Sequence, residues 1–251
     1  MSNSTANSKV YFVTGANRGI GLNLVKTLKN EGIVFATARN PEGATELNEL
    51  AKENKNIHVI KLDVNSKRDN EKAAEEVKKI VDKVDVLYVN AGIANSYAPI
   101  TVVEEDDLER HFRTNVFGAI FTFQAIYPLL QKGSDKTVVF VSTIVASLLG
   151  FLPFITGSYG PSKAALNHVV RQIDLELKDS GFKVVAIHPG LVSSDMGSLG
   201  LEQFKKTGVD ISAIPVITPE SSASQIVKTV NALDKSTGAE FLNYDGSEAP
   251  W

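Results

Sequence analysis

The sequence predicts an α/β protein, a single doubly wound domain in which a seven-stranded parallel sheet is flanked by helices. Three observations predict it. Short apolar runs alternate with helical patterns from one end of the chain to the other, which is the sequence form of βα units around a parallel sheet. Those runs are apolar at neighbouring positions rather than at every second one, as strands covered on both faces must be. Finally, the 251 residues contain no repeat, low-complexity tract or Pro/Ser-rich linker that would divide them, and α/β folds of this length commonly form one domain.

Taken in order, the strand candidates are residues 10–14, 33–38, 57–62, 84–90, 137–142, 182–188 and 240–242. Helical candidates lie between them at 20–30, 45–53, 68–81, 108–130, 158–178 and 220–233, with Ser66 as N-cap of the third and Gly32 and Gly181 as helix stops. Residues 1–8 are polar and read as a disordered tail, leaving one domain over 9–251. Two stretches break the rhythm, at 143–157 and 189–219. Both follow the C-terminal end of a strand, where ligands bind in open α/β sheets, so substrate specificity is expected there.

The chain is 43% hydrophobic and 22% charged with a net charge of -3, and its lysines and arginines are interspersed with acids. This argues against a nucleic-acid or anionic-membrane partner. No apolar run approaches the roughly 20 residues of a membrane span. There is no cysteine, which removes disulfides and thiolate chemistry and suits the cytosol. His58, His111, His168 and His188 have no i+4 partner, so no metal site is expected. A G-x-S-x-G hydrolase elbow is missing too.

After the first strand comes Thr14-Gly15-Ala16-Asn17-Arg18-Gly19-Ile20-Gly21, leading directly into a helix. Glycines permit a tight turn and a close backbone approach, and amides at the helix N-terminus hold a diphosphate. The spacing differs from the commonest dinucleotide fingerprint, G-x-G-x-x-G. Its position on the first strand-to-helix turn nevertheless points to a dinucleotide. At the end of the second strand, where an acid would hold a ribose hydroxyl, stands Arg39. With Arg18 on the other side, this favours a 2′-phosphate and hence NADP(H) over NAD(H).

Of the six tyrosines, only Tyr159 has a lysine four residues on, and i,i+4 residues share a helix face. Tyrosine, with an ordinary pKa near ~10, is a poor proton shuttle at neutral pH, and an adjacent ammonium favours the phenolate. Lys163 is therefore expected to make Tyr159 usable as the proton donor to a carbonyl oxygen, or as acceptor in the reverse direction.

With these residues in place, the chain resembles the short-chain dehydrogenase/reductase family over nearly its whole length. The matching pieces are the turn at 14–21, Asp63 after the third strand, Asn90-Ala91-Gly92 after the fourth, Asn115, Ser142-Thr143, Tyr159 with Lys163, and Pro189-Gly190 after the sixth. The resemblance implies a Rossmann-type fold and NADP-dependent carbonyl reduction or its reverse. It implies that Asp63 contacts the adenine with Val64 beside it, and that Asn90, Ala91 and Gly92 line the cofactor. Lys163 would also bond the nicotinamide ribose, Asn115 would hold a relay water, and the Val192 backbone and Ser194 hydroxyl would hold the carboxamide. The family usually places a serine where Thr143 stands. Threonine keeps the donor but adds a methyl group, with Ser142 as fallback and Ser147 as a weaker one.

The long gap from Thr143 to Tyr159 and the ending Phe241-Leu242-Asn243-Tyr244-Asp245-Gly246 resemble the carbonyl-reductase-like branch, with its sniffer-type reductases and fungal norsolorinic acid ketoreductases. The apolar loop 144–155, with Met196, Leu199, Leu201 and Phe204, suits a hydrophobic ketone or aldehyde, aryl ketones included. The loop also reads as interface or core, and Trp251 as a pocket cap or an intersubunit residue. Two other readings stay open. One is an NADP(H)-binding sensor without turnover, the other an NAD-dependent alcohol or hydroxysteroid dehydrogenase. Helices 108–130 and 158–178 match those that form homodimers or homotetramers in the family, although some carbonyl reductases are monomers.

Overall fold

The structure, a computed structural model, describes residues 8–206, 214–234 and 238–251; most of the expected N-terminal tail lies outside them. Seven parallel strands form the main sheet: β1 (Lys9–Val13), β2 (Gly32–Ala38), β3 (Ile57–Lys61), β4 (Val86–Val89), β5 (Thr137–Val141), β6 (Lys183–His188) and β9 (Glu240–Asn243). Their spatial order is β3-β2-β1-β4-β5-β6-β9, so the chain reverses direction between β1 and β4. In open sheets of this kind, ligands bind beyond the strand ends at that switch point. The expected fold class is what the chain adopts.

Alternate residues of each strand feed two cores, one per face of the sheet. Val10 and Phe12 of β1 join Phe35, Leu87 and Phe140 under α3 (Lys67–Lys78), α5 (Gly118–Leu130) and α6 (Tyr159–Leu177). Tyr11 and Val13 join Val34, Tyr88 and Val139 under α1 (Gly19–Leu28), α2 (Thr45–Glu53) and α8 (Pro219–Asn231). This two-sided burial is why the strands read as continuous apolar runs. Truncating a fully buried Phe12 or Phe140 to alanine would cost about 3–5 kcal/mol.

Three local expectations are refined. The single helix at 108–130 is three pieces: α4 (Glu105–Phe112), a π-helical turn over Arg113–Phe117, and α5. The wider turn falls on Asn115, and such insertions re-aim side chains at functional sites. Gly32 is not a helix stop but the first residue of β2, where a Cβ would lie 2.0 Å from the Lys9 carbonyl oxygen. The stretch 189–219 is not wholly irregular, since it holds a small ribbon of β7 (Leu191–Val192) and β8 (Val216–Ile217) and the helix α7 (Asp195–Lys206). Ser66 caps α3 as expected, its hydroxyl accepting from the Asp69 amide at 3.1 Å. No helix of the described residues is long and apolar enough to cross a membrane.

Candidate active site

The turn between β1 and α1 is built from backbone. Gly15 and Gly19 have φ of +65° and +56°, a region that penalises a side chain. Gly21 is needed for space, because a Cβ there would lie 2.2 Å from the Gly15 carbonyl oxygen. The turn is tied to β4 by a two-way lock. The Thr14 hydroxyl accepts from the Asn90 and Ala91 amides, both at 2.9 Å, and the Asn90 side-chain amide donates to the Thr14 and Gly15 carbonyls at 2.9 and 3.2 Å. Helix α1 then begins at Gly19 and Ile20 with no side-chain cap and no acid in its first turn, so its N-terminal amides are left for an anion.

Around that turn, Asn17 and Arg39 are exposed, and Arg39 has no ion-pair partner among the described residues. Arg18 is also exposed but pairs with Asp195 at the start of α7, an ion pair worth about 0–1 kcal/mol and readily broken. Asp63 accepts from the Asn65 amide at 3.0 Å. Val64 is buried, with its carbonyl held by Asn70 at 3.1 Å and its side chain so close to α5 that a Cβ on Gly118 would come within 2.9 Å of it.

The chemistry-bearing side chains converge beside Gly92. A Cβ on that glycine would stand 3.1 Å from Asn115 Oδ1 and 3.4 Å from Lys163 Nζ. Asn115 is buried and fully engaged: Oδ1 accepts from the Ile93 amide at 2.8 Å, while Nδ2 donates to the Ile93 carbonyl at 3.0 Å and to Ser162 Oγ at 2.9 Å. Lys163 donates to the Val141 carbonyl at 2.8 Å. Burial pushes the Lys163 ammonium down to about 8.

Burial, with Tyr97 nearby, holds the Tyr159 phenol well above its ordinary value, although a hydrogen bond with the Thr143 side chain works the other way. This corrects the sequence expectation that Lys163 lowers Tyr159 in the protein by itself. The ammonium is turned to Val141, and desolvation, which disfavours either charge, dominates both groups. A phenol that stays protonated at neutral pH is nevertheless the state a proton donor requires.

The two candidate hydroxyls after β5 separate. Ser142 is buried and donates to Asn167 Oδ1 at 2.6 Å, whereas Thr143 meets Tyr159. Ser147, the weaker fallback, is spent on the Trp251 and Gly150 backbones at 3.1 and 2.7 Å. After β6, the Pro189 carbonyl accepts from Ser222 at 2.7 Å and Gly190 takes φ +84° against Ile217 and Tyr244. Val192 is buried in the β7–β8 ribbon. The Ser194 hydroxyl accepts from the Gly197 amide at 3.2 Å and so starts α7.

Tyr97 and Asp107 were missed by sequence reasoning. Tyr97 sits edge-on to Tyr159, their ring centroids 6.1 Å apart, and burial pushes its phenol up to about 12. Its hydroxyl lies 3.4 Å from where a Cβ on Gly200 of α7 would be. Asp107 is buried in α4 and bonded to Ser158. Burial works to raise its pKa, but bonds from Ser158 and Ser96 and the charges of His111 and Arg110 outweigh that and hold it below the usual carboxylate range.

Of the apolar loop, Leu148, Leu149 and Phe151 are 71–83% exposed and therefore not core. Trp251 is not a free cap, since its ring packs on Phe241 and Arg171 and its carbonyl accepts from the Leu148 and Leu149 amides at 3.0 and 2.8 Å. The Phe204 side chain lies outside the described ones.

Residues 9–203 match the family model described as short chain dehydrogenase. The chain belongs to the short-chain dehydrogenase family. Its relatives agree. An uncharacterized oxidoreductase of Schizosaccharomyces pombe is 47% identical over 99% of this chain and 100% of its own length. The norsolorinic acid ketoreductase of Dothistroma septosporum is 29% identical over 99% and 95%. Among solved structures, the carbonyl reductase Sniffer of D. melanogaster superposes with a TM-score of 0.86 at 31% identity, covering 97% of this chain and 99% of that one. An NADPH-bound carbonyl reductase from chicken fatty liver gives 0.86 at 30%, with the same coverage. This short-chain dehydrogenase is thus an oxidoreductase similar in sequence and fold to carbonyl reductases. Its residues fit the nicotinamide dinucleotide that the family uses, because the α1 amides are uncapped and the space beside Gly19 is open, with nothing within 4 Å of a Cβ built there.

Proposed function

We propose that this protein is an NADPH-dependent reductase of hydrophobic, aryl-bearing ketones or aldehydes. The observation that carries the reading is the convergence of Thr143 with Tyr159, and of Asn115 with Lys163, next to Gly92 and the uncapped N-terminus of α1. The diphosphate is assigned to the amides of Gly19, Ile20 and Gly21, with Asn17 beside it. Arg39, and Arg18 once it leaves Asp195, hold the 2′-phosphate. Asp63 and Val64 face the adenine, Asn90, Ala91 and Gly92 the ribose side, and Pro189, Gly190, Val192 and Ser194 the carboxamide. Bound there, the dihydronicotinamide supplies the hydride.

The chain supplies the proton and its control. Thr143 donates a hydrogen bond to the substrate oxygen, and Tyr159 delivers its phenolic proton to that same oxygen as the carbonyl carbon becomes that of the alcohol. Thr143 takes this part rather than Ser142, whose hydroxyl is committed to Asn167. The Lys163 ammonium, with donors to spare beyond Val141, stabilises the phenolate left behind and holds a ribose hydroxyl. Asn115 keeps the Ile93 backbone in place beside the Lys163 ammonium, and the relay water is assigned to this position on the family resemblance alone. Tyr97, edge-on to Tyr159, offers the aromatic surface against which an aryl substituent would pack.

The test is NADPH consumption on a panel of aryl ketones and aldehydes, with cofactor fluorescence titrations for NADPH and NADH. Turnover with tighter NADPH binding is expected. Binding without turnover on any carbonyl would instead support a sensor, and tighter NADH binding would overturn the cofactor assignment. Exposed Phe117 and Leu175 support a homodimer or homotetramer packed through α4, α5 and α6, which sedimentation would reveal.

A further inference from the structure

We propose that Asp107 is a positioning residue: by accepting a hydrogen bond from Ser158, with Ser96 close beside it, it sets the packing of Tyr159 against Tyr97, and thereby the aim of the phenolic proton. The inference rests on the reductase reading for its kinetic consequence, but not for its geometry.

Both serines immediately precede a tyrosine of the pair. Ser158 donates to Asp107 Oδ2, and Tyr159 follows it; the Ser96 hydroxyl lies near enough to help hold the same carboxyl low, and Tyr97 follows that. The two rings then meet edge-on at 6.1 Å. Residues 91–99 carry no helix or strand, so no ladder of backbone bonds fixes the Tyr97 ring. Gly157 supports the same junction, with φ +51° and so little room that a Cβ would approach the Ala98 carbonyl oxygen to 2.8 Å.

Ser158 shows the cost of this arrangement. It occupies the N-cap of α6, where serine ordinarily accepts from an amide of the first turn and stabilises the helix. Here its side chain makes no cap bond and its hydroxyl turns to Asp107 instead. Asp107 itself is only 6% exposed, and a buried carboxylate is tolerated because its oxygens are filled. Arg110 donates to Oδ1 at 3.2 Å, and His111 Nδ1 lies 3.4 Å from that atom and 2.8 Å from the Asp107 carbonyl. The same helix runs directly into the turn carrying Asn115. One carboxylate therefore joins the segments bearing Tyr97, Asn115 and Tyr159.

A misplacement of about 1 Å can cost on the order of 10²-fold in rate. Ser158→Ala and Asp107→Asn are each expected to lower kcat by about 10- to 100-fold while NADPH affinity stays within about twofold. Ser158→Thr, which keeps the hydroxyl, should restore most of the rate. The Asp107→Asn/Ser158→Ala double variant should be no slower than the worse single one, as expected for two members of one contact. A crystal structure of Ser158→Ala should show the two rings displaced from their 6.1 Å packing. If Ser158→Ala folds and keeps wild-type kcat, or loses rate with the ring pair unmoved, the proposal is overturned. Should the wild-type protein reduce no carbonyl, the reductase reading fails by itself, and the ring geometry of that variant still decides the role of Asp107.

Discussion

The proposed phosphate-binding end and the proposed proton-transfer end of the site are made of different material. Around Gly15, Gly19 and Gly21 the work is done by backbone amides, and side chains matter chiefly by being absent. Around Tyr159 it is done by side chains from four separate stretches of chain, held by hydrogen bonds and burial. The first end should tolerate no added atom but few of its side chains should matter. The second should tolerate conservative changes in shape yet lose rate with each lost donor.

The largest expected effect lies at the proton-transfer end. Lys163→Met should lower kcat by about 10²- to 10⁴-fold. It should also raise the thermal midpoint of the cofactor-free protein at pH 7. A buried lysine brought down to about 8 from an ordinary 10.5 penalises folding while charged; that penalty is full below about pH 8 and fades as pH rises towards 10.5. Melting curves of both proteins at pH 7 and pH 10 check the sign, since the gain should shrink at the higher pH. Next, Thr143→Val should cost about 10²- to 10³-fold in kcat. Ser142→Ala, which only frees Asn167, should cost much less, and steady-state rates would sharpen the division between the two hydroxyls.

At the phosphate end, Gly21→Ala should destabilise the fold by about 1–3 kcal/mol and weaken both cofactors, because the new methyl group meets the Gly15 carbonyl. Arg39→Ala should be the mildest, reducing NADPH affinity by about tenfold or somewhat more and leaving NADH affinity alone, as loss of a charge-assisted bond implies. Fluorescence titration reads both. A glycine variant that binds NADPH normally would break the contrast between the two ends.

The same contrast explains what was legible in the sequence. Backbone sites are contiguous: Gly15, Gly19 and Gly21 lie within one turn, and positive φ and a helix start leave their mark on neighbouring letters. The sheet was legible as well, because strands buried on both faces must be apolar throughout. The Tyr159–Lys163 pair was readable for the same reason of locality, being one helical turn long. What escaped was made of long-range contacts. Asp107 sits within an acidic run that reads as a solvated first turn, and only the fold brings Ser158 and Ser96 to it. Ser142 and Thr143 were indistinguishable until Asn167, a turn beyond Lys163, took one of them. Nor does sequence foretell that desolvation, not the lysine, governs Tyr159 in the protein by itself. The break in the 108–130 helix hides similarly, because α5 is apolar at nearly every position and so shows no change of phase when a π turn adds a residue.

The most direct test of proton delivery by Tyr159 is a paired measurement on Tyr159→Phe: NADPH affinity by fluorescence, and turnover of an aryl ketone that the wild-type protein reduces. The account predicts affinity within about twofold of wild type and turnover reduced by at least about 10²-fold, because the phosphate cradle is untouched and the proton is gone. Wild-type turnover in that variant would contradict it.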